Sequence, residues 1–121
     1  MKIYLAGPMR GIPQFNFPAF DYAAAKLREQ GFNVFSPAER DRSIHSTRLE
    51  DNPTGDEKMA EQDVGFSLRE ALAADTQYIA LHADGIALLP GWEQSSGANA
   101  ELALARALRL SVIHLGEEYV R

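Results

Sequence analysis

The chain has 121 residues, of which 45% are hydrophobic and 24% are charged, and this composition is typical of a globular domain with a buried core. The absence of cysteine excludes disulfides, thiolate metal sites and a cysteine nucleophile. The net charge of −5 and the scattered basic residues argue against a nucleic-acid polymer as partner, although a small anion needs only one or two arginines and a few backbone N–H groups.

The opening, MKIYLAGPMRG, has a single Lys before a very short apolar run, which is typical of neither a signal peptide nor a membrane anchor. No apolar stretch approaches the roughly 20 residues that a membrane span needs. We therefore expect a cytoplasmic protein that does not bind membranes, with residues 1–121 forming a single domain.

Four short apolar runs predict strands, and three segments with helical spacing predict helices. The first strand, 2–6, is followed by a helix that opens at Asn16-Phe17-Pro18 and stops at Gly31. A capping box at Ser67–Glu70 opens the second helix, which should run to about His82. The remaining predicted elements are strands at 33–35, 86–89 and 111–115 and a third helix at 97–108.

The apolar spacing typical of helices and strands is absent between Ala38 and about Phe66. Residues 40–66 are predicted to form a polar loop. Pro53 and Gly55 act as breakers there, and no apolar period is visible. A loop of this length inside a compact domain is either functional or disordered. Both a mobile insertion and a lid over a ligand therefore remain open.

The predicted strands are continuous apolar runs, which is typical of a parallel sheet covered on both faces. The fold expected is α/β, a single-domain Rossmann-like sandwich with a small parallel sheet flanked by helices. In such sheets ligands bind beyond the carboxyl ends of the strands. Those ends are expected at residues 7–11, 36–39 and 90–97.

Glu101 is the strongest candidate for a reactive group. On the third predicted helix its face is shared by apolar residues and glycine, with no Lys or Arg three or four positions away: Gly97, Ala98, Leu104, Ala105 and Leu108. A carboxylate on an apolar face is costly unless something compensates it, and such groups are often catalytic. The alternative is a first-turn glutamate that faces water and is favoured by the helix dipole.

Asp75 lies in a similar apolar stripe on the second predicted helix, where aspartate has poor helix propensity. It could simply bond a neighbouring backbone group or pair with Arg10. Two inward carboxylates on separate helices are also the minimal set for glycosidic chemistry, in which one attacks or stabilises the anomeric carbon and the other manages a proton.

Two loops could hold an anion. Gly7-Pro8-Met9-Arg10-Gly11 follows the first strand, and its arginine can form paired bonds to a phosphate. Ser95-Ser96-Gly97 precedes the third helix, whose N–H groups and dipole also favour an anion. Turn geometry alone would explain the glycines equally well.

Two aromatic residues have both a structural and a functional interpretation. Tyr4 is either a core residue or a hydrogen-bond donor to a carboxylate, and Trp92 either packs or stacks on a base. The histidines, His45, His82 and His114, lack metal-ligand spacing, so no metal site is predicted.

Two segments carry a resemblance to a known family: IYLAGPMRG, and DTQYIALHADGIALLPGWEQSSGANAELALA. They resemble the nucleoside 2-deoxyribosyltransferase-like superfamily, especially its short, phage-associated branch, and are similar to deoxynucleoside 5′-monophosphate N-glycosidases. The resemblance implies that Glu101 is a nucleophile forming a glycosyl-enzyme ester at C1′. Asp75 would be the second essential carboxylate, and Tyr4 would hold Glu101 by a hydrogen bond.

The resemblance also implies a substrate site. Arg10, Gly11 and Ser95 would surround a 5′-phosphate, and Gly7 and Gly97 would let the ligand lie close to the backbone. The predicted substrate contacts are completed by Met9, Trp92 and Asn99.

Three functions stay open at this point. The first is N-glycosidase-type hydrolysis of a nucleoside 5′-monophosphate, the second is a non-catalytic module that recognises or sequesters a nucleotide, and the third is a degenerate scaffold. Base exchange is disfavoured, because the C-terminal asparagine arrangement of the family's transferases is not evident. No cofactor is expected, and family members are usually homo-oligomers, so a homodimer is expected.

Overall fold

The structure is a computed structural model that describes residues 1–45 and 68–120. Its strands are β1 (Lys2–Ala6), β2 (Asn33–Phe35), β3 (Gly85–Leu88) and β4 (Ser111–His114). Its helices are α1 (Phe17–Glu29), α2 (Pro37–His45), α3 (Leu68–Leu81) and α4 (Ser96–Ala107). Short 3₁₀ turns occupy Pro13–Asn16, Trp92–Gln94 and Glu117–Tyr119. Within the described ranges, every helix is too short or too polar to cross a bilayer.

All four strands are parallel and lie in the order β2-β1-β3-β4. The predicted Rossmann-like α/β fold is thereby confirmed. Because β2 lies on one side of β1 and β3 lies on the other, the chain reverses its direction of travel across the sheet at β1. A crevice opens beyond the carboxyl ends of β1 and β3 at such a switch point, which is where ligands bind in open α/β sheets.

Both faces of the sheet are covered, and β1 contributes to both. Ile3 and Leu5 pack into the core formed with α1, whereas Tyr4 and Ala6 pack into the core formed with α3 and α4. This alternation follows from the period of two in a strand. It directs the Tyr4 side chain toward α4, the helix that carries Glu101.

The prediction of a polar loop over residues 40–66 was wrong for residues 40–45, which belong to α2. This helix is polar, and ion pairs with α1 hold it in place. Arg28 forms two bonds with Glu39, at 2.6 and 2.7 Å, and Arg42 reaches Asp21 at 2.8 Å. Because polar contacts stabilise the helix, its sequence lacks the apolar period that would reveal it.

The rest of the predicted loop, 46–66, lies outside the described residues, as does Ser67 of the predicted capping box. The helix predicted to follow that box is confirmed as α3, and the one predicted at 97–108 is confirmed as α4. The four predicted strands are also confirmed, each with ends within one residue of those expected.

Candidate active site

A pocket lies at the carboxyl ends of β1 and β3, and we call it the inner pocket. Its cavity of about 80 Å³ adjoins a shallower one of about 290 Å³, the outer pocket, with which it shares Met9, Arg10 and Ser95. Each cavity alone lies below the usual size range of small-molecule sites, roughly 300–1,000 Å³, so a ligand of that size would have to extend across both. The predicted site residues that line the inner pocket are Tyr4, Gly7, Met9, Arg10, Asp75, Ser95, Gly97 and Glu101.

Glu101 is buried, with 6% of its surface exposed. Because α4 begins at Ser96, Glu101 lies in the second turn of the helix, and the alternative of a first-turn glutamate facing water does not hold. The Tyr4 hydroxyl donates to Glu101 Oε2 at 2.6 Å, so the structure brings these two predicted residues together. Tyr4 is both a core residue and a hydrogen-bond donor to the carboxyl group.

The surroundings of Glu101 oppose its negative charge. Burial raises the pKa of this carboxyl group to about 8; the Tyr4 hydrogen bond lowers it, and the nearby charges of Asp75 and Asp41 raise it. The pKa of Tyr4 is raised well above its ordinary value by burial first and then by Glu101. The hydroxyl therefore stays protonated and acts as a donor to Glu101.

Asp75 projects from α3 into the same pocket and is 7% exposed. The pKa of Asp75 is raised to about 7, by burial first and then by the charge of Asp41, while Arg40 and the Tyr4 hydrogen bond oppose the rise. Among the described residues, Asp75 Oδ1 has no hydrogen-bond partner. A local backbone bond to this oxygen, one of the structural alternatives, is therefore not present in the described part of the chain.

Asp41 is a third carboxylate in the pocket, and the sequence interpretation missed it. It lies on α2, is 4% exposed, and its Oδ1 is 3.1 Å from Arg40 Nη1. A signal was present, since Ser36-Pro37 directly after a strand resembles a helix start with Pro at its first position. A helix that starts at Pro37 places Asp41 one turn into it, just beyond the carboxyl end of β2.

Aromatic side chains form an apolar wall that was also missed: Phe15, Phe17 and Phe20. Phe15 is placed by a left-handed turn in which Gln14, Phe15 and Asn16 have φ of 60°, 51° and 62°. Such a conformation costs about 1–2 kcal/mol per residue. Asn16 Nδ2 donates to Pro8 O at 2.9 Å and ties this turn to the loop after β1. Backbone strain of this kind clusters at functional sites.

The loops predicted to hold an anion meet at the outer pocket. Arg10 Nη2 donates to Ser96 Oγ at 2.7 Å, which joins the loop after β1 to the first turn of α4. Ser95 caps α4, since its Oγ accepts from Ala98 N at 3.2 Å. The helix N-terminus and an arginine therefore face the same space, an arrangement that favours an anion.

The two glycines lining the inner pocket have different explanations. A Cβ at Gly7 would lie 2.8 Å from Leu89 Cβ, so packing alone requires glycine there. A Cβ at Gly97 would meet nothing nearer than Ser95 Oγ at 4.0 Å. Packing therefore does not require glycine at position 97. The prediction that a ligand lies close to the backbone there remains an explanation for this glycine.

Three predicted substrate contacts do not line the inner pocket. Gly11 is exposed in a turn with φ of +79°. Trp92 packs against the core under α4, with its ring 6.0 Å from that of His114. Asn99 Nδ2 donates to three backbone carbonyls in the turn before α4, the shortest bond being 2.8 Å to Ser95 O. Trp92 and Asn99 therefore shape the loop before α4.

Within residues 1–45 and 68–120, no group of three His, Asp or Glu side chains is arranged to hold a metal ion. Comparison with curated proteins finds no match. A family model matches residues 1–114, a range that includes every described residue of both pockets. The chain therefore belongs to the family described as Domain of unknown function (DUF4406).

Proposed function

We propose that the protein is an N-glycosidase-type hydrolase that cleaves the bond between base and sugar in a nucleoside 5′-monophosphate, with Glu101 as nucleophile. The observation that carries the proposal is the 2.6 Å hydrogen bond from Tyr4 to a buried Glu101 in a pocket that also holds Asp75. The resemblance noted in the sequence supports the same chemistry. The resemblance also favours a homodimer. The composition favours the cytoplasm, and acid–base and nucleophilic groups suffice for the chemistry without a cofactor.

The reaction has two steps, as in retaining glycosidases. A Glu101 oxygen forms a bond to C1′ while the C1′–N bond breaks, and the electron pair of that bond leaves with the base. Asp75 donates its proton to the departing base. Water then attacks C1′, its proton passes to the Asp75 carboxylate, and the ester opens to release the sugar 5-phosphate and the Glu101 carboxylate.

The mechanism needs the shared proton on Asp75, whereas the pKa of Glu101 is the higher of the two, so the proton must pass from Glu101 to Asp75 when the substrate binds. Burial raises the pKa of Asp75 to about 7 and that of Glu101 to about 8, so the coupled pair retains a proton near neutral pH. A retained proton is what the departing base requires. Positive charge develops at C1′ in the transition state, and it favours the ionised form of Glu101 at the moment of attack.

The phosphate of the substrate is assigned to the outer pocket. Arg10 and the first turn of α4 face this space, and Ser95 belongs to both pockets. A helix N-terminus with an adjacent arginine favours a phosphate over a neutral hydroxyl. We therefore expect 5′-monophosphates to be cleaved and the corresponding nucleosides to be poor substrates.

The test is incubation of the protein with a panel of ribo- and deoxyribonucleoside 5′-monophosphates and with the matching nucleosides. Free base is measured by chromatography, and acid-quenched protein is weighed by mass spectrometry. We expect base release from monophosphates and a sugar-phosphate adduct that maps to Glu101. If no nucleotide releases base and no adduct forms, the hydrolase proposal is wrong.

Tyr4→Phe is expected to lower kcat/KM at pH 7 about 10- to 100-fold, the usual effect of losing a hydrogen bond to a charged group. The Tyr4 hydroxyl lowers the pKa of Glu101, so its loss should move the acidic limb of the pH–rate profile to higher pH. Tyr22→Phe, on α1 and outside both pockets, is the matched control and should leave the profile unchanged. A Tyr4→Phe profile that only drops, without moving along the pH axis, would contradict this role.

The second candidate is a module that binds a nucleotide without cleaving it. It is favoured by the raised pKa of Glu101, about 8, because a carboxyl group protonated at pH 7 donates a hydrogen bond and does not attack. This function predicts intact nucleotide retained in stoichiometric amount by the purified protein. Mass spectrometry of the denatured protein would detect the ligand, and base release would be absent from pH 6 to pH 9.

A further inference from the structure

We propose that Asp41 is a specificity-determining residue and that the substrates of this site are nucleotides whose base carries an exocyclic amino group. This inference rests on the proposed function, since it concerns the base that Glu101 and Asp75 would release. Neither the sequence interpretation nor the family match assigns any role to Asp41. The proposed role of Asp41 is supported by the topology of the pocket and by the chemistry of a buried carboxylate.

We infer from the order of the strands that the site has a phosphate end and a base end. Arg10 follows β1 and Ser95 follows β3, so the groups assigned to the phosphate come from these two neighbouring strands. Asp41 belongs to α2, which follows β2 on the other side of β1. A nucleotide with its phosphate at Arg10 and its C1′ at Glu101 therefore directs its base toward α2 and α3.

Asp41 is the charged group of α2 that lines the base end. It is 4% exposed, and the Arg40 guanidinium, 3.1 Å away, offsets part of its charge. Apolar residues of α3 line the same end, among them Ala71 and Leu72. A polar atom of the base that faces Asp41 is therefore shielded from water. The free energy of binding then depends on whether that atom can hydrogen-bond to the carboxylate.

An ionised carboxylate only accepts hydrogen bonds. The amino group of cytosine, adenine or guanine supplies donors, whereas uracil, thymine and hypoxanthine place a carbonyl oxygen at the position where cytosine or adenine has its amino group. Two acceptors facing each other without water leave both unsatisfied. Sites built to hydrogen-bond one partner reject analogues that lack it by large factors.

Asp75 complements this arrangement. Because burial raises the pKa of Asp75 to about 7, its carboxyl group carries a proton in slightly acidic solution and can donate to a ring nitrogen. A donor at Asp75 beside an acceptor at Asp41 matches a ring nitrogen next to an amino group, which is the pattern on one edge of cytosine and adenine. The nearby charge of Asp41 raises the pKa of Asp75, consistent with the proximity of the two groups.

The test compares nucleotides whose bases carry either an amino group or a carbonyl oxygen at the same position: dCMP with dUMP, and dAMP with dIMP. The adjacent ring nitrogen changes with it from acceptor to N–H donor, so the Asp41 variant is needed to assign the preference to Asp41. We expect kcat/KM for base release to be at least about tenfold higher for the amino member of each pair. Asp41→Asn, which offers both a donor and an acceptor, should reduce that ratio to within about threefold. Asp21→Asn is the matched control, because Asp21 also pairs with an arginine of α2 but does not line the pocket, and it should keep the wild-type ratio.

A second measurement separates this inference from the proposed function. The Kd of each nucleotide for the Glu101→Gln protein, measured by calorimetry, should show the same preference without turnover. Equal release from both members of each pair would overturn the role of Asp41 and leave the hydrolase proposal standing. Absence of any release would overturn the hydrolase proposal, and the Kd ratios would still decide the role of Asp41, with equal or absent binding counting against it. If Asp41→Asn fails to fold, Asp41→Ser, which also offers both a donor and an acceptor, replaces it in the same comparison.

Discussion

Replacing Glu101 with glutamine should reduce the rate of base release by about 1,000-fold or more, the size of loss seen when a nucleophile is removed. The amide keeps the shape of the side chain and an oxygen that can accept from the Tyr4 hydroxyl, whose present bond to Glu101 Oε2 is 2.6 Å. It cannot form a stable ester with C1′. The sugar-phosphate adduct should therefore disappear, whereas the Kd for a bound monophosphate should change by no more than a few fold.

Glu29→Gln provides the matched control for this experiment. Glu29 lies at the end of α1, where its side chain is exposed and lines neither pocket, so the same chemical change can be made there. Its rate should equal that of the wild type. A Glu101→Gln protein that is folded and still releases base at more than a tenth of the wild-type rate would show that Glu101 is not the nucleophile.

The part of the fold that the sequence predicts is the part held by apolar packing. The strands and three helices have apolar faces, and the structure buries them as expected. The same pattern placed Glu101 correctly, because Ala98 and Ala105 on its helical face are buried with it. Leu108, assigned to the same face, is exposed because it lies at the C-terminal end of α4.

The parts that the sequence does not predict depend on contacts between distant segments. Helix α2 is held by Arg28 and Asp21 of α1, and no local pattern reveals such pairs. Asp41 enters the site only because β2 lies beside β1, a neighbour relation that the order of strands along the chain leaves open. The sequence also leaves open whether Trp92 packs or stacks on a base, and the structure packs its side chain against the core beneath α4.

The stability of the protein is expected to fall as the pH rises from 6 to 9. Burial raises the pKa of Asp75 to about 7 and that of Glu101 to about 8, whereas both groups titrate near pH 4 in an unfolded chain. The folded protein therefore binds these protons more tightly, and the stability linked to them is complete below about pH 4 and is lost as the pH rises through 7 and 8. The free energy of unfolding should decrease by about 4 kcal/mol between pH 6 and pH 9.

Urea denaturation at a series of pH values measures this loss, and variants assign it to the pocket. Glu101→Gln removes the group with the higher pKa, so it should reduce the decrease by more than half and make the protein more stable than the wild type at pH 9. Glu29→Gln should keep the full decrease, because Glu29 is exposed. A wild-type stability that is constant from pH 6 to pH 9 would mean that the pocket holds its carboxyl groups ionised at no cost. Neither Asp75 nor Glu101 would then carry the proton that the proposed mechanism donates to the departing base.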